Sequence, residues 1–309
     1  MNFPVFDLHC DTALALLKES KKLRKNDLHI DLLRSGRLPG YVQCFACFTT
    51  TLYDKDPTIV FAQELGALLN QIDENPEKIR LVHAATEIEK NLERGISSAI
   101  LTIEGPAGID FDPARLEGLH KIGFRITTLG WNERNPLTGS HATGGGLTEL
   151  GKEYVKEAQR LNILVDVSHI SDEGFWDIMQ ITERPVIASH SNSRSVWNVS
   201  RNLTDDMFMA ICSTGGVVGI NLYTDFLGVN ATLDTVCDHI LHFMNLDPTG
   251  RHICLGGDLD GCDRLPTGFD GIQDYHKLAE CLLRRGLDDV SIYNIFWNNA
   301  LGVMKKCCM

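Results

Sequence analysis

The chain has 309 residues, 43% of them hydrophobic and 23% charged, which is enough apolar material for a large packed core and excludes extended disorder. Its formal net charge of -12 and the lack of a Lys/Arg run interleaved with aromatics exclude nucleic acid as an expected partner; the short basic run Lys18 to Lys25 reads as a solvated helix face. Ten cysteines spread over this length, with no signal-type start, point to a reduced, cytoplasmic setting instead of a disulfide scaffold.

Apolar runs bounded by Gly, Pro and polar residues predict eight strands. In chain order, strands at Pro4 to His9 and Tyr41 to Phe48 precede a helix over Ile59 to Ile72. Strands follow at Ala99 to Glu104 and Phe124 to Gly130, then a long irregular stretch, Trp131 to Gly146, placed to lie over whatever the strand ends form. A helix over Thr148 to Leu161 leads to the strand Ile163 to His169, and Ser171-Asp172-Glu173 marks the next helix start with a cap and two acids. The strand Val186 to His190, the helix Thr204 to Cys212, the strand Val217 to Leu222 and the helix Thr232 to Phe243 continue the alternation. The strand Ile253 to Asp258 and the helix Tyr275 to Arg285 complete it.

Strands this apolar need cover on both faces, so the pattern predicts a parallel sheet wrapped by helices: a single (β/α)8 barrel domain over 1–309, with an open doubly wound sheet as the alternative. No apolar run is long enough to span a bilayer, so no membrane partner is expected. The terminal Lys305-Lys306-Cys307-Cys308-Met309 has Lys306 where a prenylation signal needs Cys, so no lipid anchor is expected. Cys44-Phe45-Ala46-Cys47 falls inside a strand, where positions three apart face opposite ways; two buried thiols are expected, not a redox or metal pair.

Ligand-type side chains fall where the strands end. His9 and Asp11 stand two residues apart, so a strand would present both on one face, where both can grip one cation. Glu104, His169, His190 and Asp258 each close a further apolar run, and a closed barrel brings all such ends to one mouth. Glu104 before a Gly-Pro turn would be a buried carboxylate without compensation unless a cation met it. Of the Asp258 and Asp260 pair, Asp258 is the expected working acid and base, with Asp260 capping the following turn. Arg201 could hold an anionic substrate group through its planar fork, or else pair at the surface with Asp205 or Asp206. His83, His120, His239, His242, His252 and His276 read as ordinary surface or core histidines.

The strings Asp7-Leu8-His9-Cys10-Asp11, Ile103-Glu104-Gly105, Asp166-Val167-Ser168-His169, Ser189-His190-Ser191, Arg201-Asn202 with Asp205-Asp206, and Gly257-Asp258-Leu259-Asp260-Gly261 together resemble the renal, or membrane, dipeptidase family of the amidohydrolase superfamily, from Phe6 through Arg285. The resemblance implies two Zn2+ ions, one held by His9 and Asp11 and the other by His169 and His190, bridged by Glu104 and a water or hydroxide. It implies Asp258 as the proton-transferring group, Arg201 on the carboxylate of a dipeptide, Tyr223 in the substrate pocket, and a homodimer. After the fourth predicted strand, where family members carry Leu-Thr-His, this chain has Leu129-Gly130-Trp131, which places Trp131 against the substrate. The same arrangement could instead open a lactam or an N-acyl amino acid. A barrel that keeps its metals without catalysis and binds a peptide is the reading from outside enzymology.

Overall fold

In the computed structural model, described for residues 3–307, nine strands all pair in parallel. They are β1 (Val5–Cys10), β2 (Tyr41–Phe48), β3 (Ile79–Leu81), β4 (Ser97–Glu104), β5 (Phe124–Thr128), β6 (Leu164–Asp166), β7 (Val186–Ile187), β8 (Val218–Ile220) and β9 (Ile253–Leu255). Eight of them follow the order β7-β6-β5-β4-β2-β1-β9-β8. A parallel bridge between Ala188 and Val218 joins the two ends of that path and closes the barrel, with the Ala188 amide donating to the Val217 carbonyl at 3.1 Å. The eight-stranded parallel barrel is therefore a (β/α)8 fold.

The extra strand β3 lies outside the barrel, pairing with the first half of β4. Its sequence, Ile-Arg-Leu, is too short to carry a periodic signal, which is why the sequence pattern misses it.

β1, β2, β4 and β5 are buried at every position, the signature of strands covered on both faces. One set of side chains fills the lumen, including Phe6, Leu8, Val42, Cys44, Ile100, Ile126, Leu164 and Ile187, and packs onto Trp297, Ala300, Val303 and Met304. The other set, including Val5, Phe45, Cys47, Leu101 and Phe124, packs outward against the helices. Cys44 and Cys47 thus face opposite ways as buried thiols, neither of them in a disulfide.

The helices begin where cap residues predict. Ser171 Oγ accepts from the Gly174 amide at 3.0 Å to open Asp172–Ile181, and Thr204 caps Asp205–Thr214 through Met207. The basic run from Lys18 to Lys25 is not a helix face: Thr12–Glu19 ends at Ser20, in the left-handed conformation, and the rest is loop. Its charges enter surface ion pairs, Lys21 with Glu19 and Asp27, Lys22 with Glu74, and Arg24 with Glu77. No helix among the described residues is long and apolar enough to cross a membrane. Cys308 and Met309 of the terminal run lie outside the described residues.

Candidate metal centre

The strands end sooner than the apolar runs do. β6, β7 and β9 stop at Asp166, Ile187 and Leu255, so His169, His190 and Asp258 sit on the turns just beyond them. His169 (φ 71°) and Asp258 (φ 57°) are in the left-handed region, which is uncommon for residues with a Cβ and breaks an extended strand. Such backbone persists where surrounding structure over-determines it, as at ligand-holding sites. Asp11 also lies past its strand, as the residue preceding the helix Thr12–Glu19, so strand alternation is not what aligns it with His9. A register shift in β1 between Asp7 and Cys10, followed by the turn into that helix, brings the two together.

Six side chains converge at the carboxyl ends of the strands. His9 Nε2 is 3.2 Å from Glu104 Oε2, 3.4 Å from Asp11 Oδ2 and 3.9 Å from Asp258 Oδ1. The other Glu104 oxygen, Oε1, lies 3.1 Å from His169 Nε2 and 3.7 Å from His190 Nε2. The Glu104 carboxylate therefore stands between two halves, His9 and Asp11 on one side and His169 and His190 on the other. The rings of His9 and His190 stack at 3.7 Å. Two glycines make room for this crowding. A Cβ on Gly261 would collide with the carboxylates of Asp11 and Asp258, and a Cβ on Gly105 (φ 71°) with the Thr49 carbonyl.

The hydrogen bonds behind the imidazoles fix which nitrogens are free. His169 Nδ1 donates to Asn132 Oδ1 at 3.0 Å. His190 Nδ1 donates to Ser189 Oγ at 2.6 Å, and Ser189 passes its own proton to Asp166. Each ring thus presents Nε2 as an acceptor, and the two Nε2 atoms face each other at 2.9 Å. His9 Nε2 is buried and, despite its nearby carboxylates, makes no hydrogen bond among the described residues. Acceptors facing acceptors and an orphaned imidazole nitrogen beside carboxylates fit divalent cations, which need lone pairs and negative charge together. Two overlapping triads meet the spacing of a metal site: His9, Glu104 and His190, and His9, Asp11 and Asp258.

Without a cation the electrostatics are unfavourable. Burial first, then the neighbouring Asp11 charge, raise Glu104 to about 8, and burial raises Asp258 to about 6. His169 and His190 are pushed well below their usual range by burial and, to a lesser degree, by nearby cationic groups including Arg201, so both are neutral and ligand-ready. Burial opposes protonation of His9, but Glu104 and Asp11 outweigh it and raise that imidazole.

Asp258 Oδ2 accepts from Asn221 Nδ2 at 2.9 Å, which aims its other oxygen toward His9. Asp260 does not cap the next turn. Its two oxygens accept from Thr12 Oγ1 and the His29 amide, both at 2.6 Å, tying the mouth to the first helix and the loop after it. Arg201 makes no surface pair with Asp205 or Asp206. It is buried behind the imidazoles, with Nη1 donating to Ser191 Oγ at 2.9 Å and Nη2 to the His190 carbonyl at 3.0 Å, and with Nε lacking a partner among the described residues. Trp131 and Tyr223 line a cavity of about 200 Å³ over the centre, with Asp11, Glu104, His169 and Asp258 in its walls. Trp131 packs edge-on against Phe48 at 5.0 Å, and Tyr223 against Phe226 at 5.0 Å. The loop carrying Trp131 does lie over the mouth, pinned by the His141 amide on the His169 carbonyl at 2.8 Å.

Two contributors escape the sequence reading. Asn132 accepts from His169 and also contacts His141 Nε2 at 2.9 Å, and Asn221 supports Asp258. Neither residue type signals such a role. Adjacency to Trp131 and to the end of the seventh barrel strand is the only hint.

The family model for membrane dipeptidase, peptidase family M19, matches residues 1–308. An uncharacterized dipeptidase of Schizosaccharomyces pombe is 30% identical over 98% of this chain and 81% of its own length. Dipeptidase 3 of Rattus norvegicus is 29% identical over 99% of this chain and 65% of its own. Among solved structures, a metallopeptidase from Rhodobacter sphaeroides liganded with a phosphinate mimic of the dipeptide L-Ala-D-Ala superposes with a TM-score of 0.90 at 26% identity, covering 99% of this chain and 100% of that one. The dipeptidase AC of family M19 superposes at 0.91 with 27% identity, covering 99% of each chain. Kinship over the full length, the shared barrel and the clustered ligand-type side chains agree: this chain belongs to the membrane dipeptidase family, peptidase family M19, a family of metallopeptidases.

Proposed function

We propose that residues 1–309 form one catalytic domain, a binuclear zinc dipeptidase in which His9 and Asp11 hold one Zn2+, His169 and His190 hold the other, and Glu104 bridges them. The observation that carries this is the Glu104 carboxylate, which turns one oxygen to each pair of ligands while three imidazole nitrogens beside it lack proton donors. Bound there, the cations would supply Lewis acidity, making water a stronger acid and the peptide carbonyl a better electrophile.

The remaining chemistry belongs to side chains of this chain. Asp258 takes a proton as the water oxygen bonds to the carbonyl carbon, then delivers it to the amine nitrogen as the C–N bond breaks. Asn221 holds the carboxylate in position for both transfers. Arg201 supplies positive charge behind the centre, and no carboxylate among the described residues forms an ion pair with it; we assign it to the C-terminal carboxylate of the substrate. Trp131 and Tyr223 wall the pocket on either side. The phosphinate that the Rhodobacter relative binds supports a dipeptide with a D-residue at its C-terminus as the first substrate to try.

The test is release of free amine from a dipeptide panel, L,L and L,D, with N-acyl amino acids and a lactam alongside, before and after chelation and after Zn2+ is returned. Chelator-sensitive, zinc-restored cleavage of dipeptides is expected. Cleavage of the acyl amino acids or lactam alone would reassign the substrate, and no cleavage of any would leave a binding protein.

A further inference from the structure

At the end of the barrel opposite the catalytic mouth, three residues that the dipeptidase chemistry does not use come together. Cys212 lies near the end of the helix Asp205–Thr214, Asp247 is the C-terminal cap of the helix Leu233–Leu246, and His252 immediately precedes β9. One potential ligand atom from each lies within 4.8 Å of the others. Zinc bonds of about 2.0–2.3 Å put tetrahedral ligand atoms no more than about 4 Å apart, so side-chain rotation of about an ångström closes the triad.

Each member is prepared for a cation. His252 Nδ1 donates to the Gly216 carbonyl at 2.7 Å, which fixes the tautomer and leaves Nε2 with its lone pair. Asp247 is 9% exposed; Oδ1 accepts from the amide and hydroxyl of Thr249, whereas Oδ2 is buried without a partner among the described residues. No lysine, arginine or histidine among the described residues forms an ion pair with that carboxylate, an arrangement that costs free energy unless a positive charge arrives. A thiolate and a carboxylate would neutralise a divalent ion, and soft sulfur with imidazole selects zinc-like metals over Mg2+ or Ca2+.

We propose that Cys212, Asp247 and His252 form a second, structural zinc site, with water completing the shell at the half-buried Cys212 and His252. Bound there, the ion would tie the ends of the helices Asp205–Thr214 and Leu233–Leu246 to the start of β9, beside its partner strand β8. That end of such a barrel serves stability and not catalysis. Burial and the Asp247 charge push the Cys212 thiol up to about 12, so zinc uptake would displace a proton from it.

Cobalt separates this site from the catalytic centre, whose proposed ligands include no sulfur. Metal-stripped protein titrated with Co2+ should develop a thiolate-to-metal charge-transfer band in the near ultraviolet, reaching the amplitude of a single Co2+–thiolate bond per chain once the catalytic positions and this site are all filled. Cys212→Ser should abolish the band, and His252→Gln should weaken the Co2+ affinity giving it by about tenfold or more. Zinc measured by mass spectrometry should fall by one ion per chain in both variants, with dipeptide cleavage changed less than about twofold. A wild-type protein without the band, a band that survives Cys212→Ser, or an unchanged zinc content in both variants would overturn the site. If the serine variant does not fold, His252→Gln decides by metal content alone.

Discussion

His169 Nε2 and His190 Nε2 face each other at 2.9 Å, and the second nitrogen of each ring is already committed to Asn132 or Ser189. Two acceptors at that separation repel unless something positive lies with them. Chelation should therefore destabilise the protein: by linkage, free metal at a thousand times its dissociation constant contributes about 4 kcal/mol to the folded state. Scanning calorimetry with and without chelator checks this, and superimposable transitions would refute it.

The metal-free protein should also respond to pH in a defined direction. Glu104 is raised to about 8 and His9 is raised as well, so the folded chain holds these protons more tightly than the unfolded one. Their stabilisation is complete at low pH and is lost as pH rises through those folded values. His169 and His190, lowered, contribute in the opposite sense, but only below their usual value of 6.5. Between pH 6.5 and 8 the chelated protein should lose thermal stability as pH rises, and saturating zinc should flatten or reverse the trend.

Asp258→Asn keeps the shape and the Asn221 contact while removing the proposed proton carrier. Turnover of dipeptides should fall by about 10² to 10⁴-fold, with the zinc content of the mouth unchanged. Asn221→Ala should cost less, about tenfold, because it loosens the carboxylate without removing it. Metal analysis beside steady-state kinetics separates the two effects.

Arg201 touches Ser191 and the His190 carbonyl, so a structural role and a substrate role must be told apart. Arg201→Lys keeps the charge and loses the fork. If Arg201 holds the substrate carboxylate, the variant should raise KM for dipeptides but not for their C-terminal amides. An equal fall in kcat for both substrates would show that Arg201 only supports His190.

Asn132 fixes the tautomer of His169. Asn132→Ala should weaken zinc binding by about 10 to 100-fold, and chelator-competition titration reads it directly. Asn132→Asp, which still accepts the proton and adds negative charge, should hold zinc at least as tightly as the native residue.

The barrel was legible because its evidence is local: runs of apolar residues long enough to bury both faces, caps such as Ser171 and Thr204, and polar residues placed at run ends. Glu104, His9, His169, His190 and Asp258 stood out for the same reason, each being a ligand-type side chain at the end of an apolar run. What local patterns could not carry was the last three residues of three strands, where left-handed backbone at His169 and Asp258 replaces extension. Nor could they carry β3, whose three residues gain their strand identity from β4 beside them.

The sequence by itself determined which side chains are available and that they lie near strand ends, since periodicity and burial follow from residues a few positions apart. Only the tertiary structure decided that Glu104 stands between His9 and Asp11 on one side and His169 and His190 on the other, that Asn132 and Asn221 hold His169 and Asp258, and that Cys212, Asp247 and His252 meet at the far end. Those relations join residues tens to hundreds of positions apart. Closure of the barrel at Ala188 and Val218 sets them, and no local interaction encodes it.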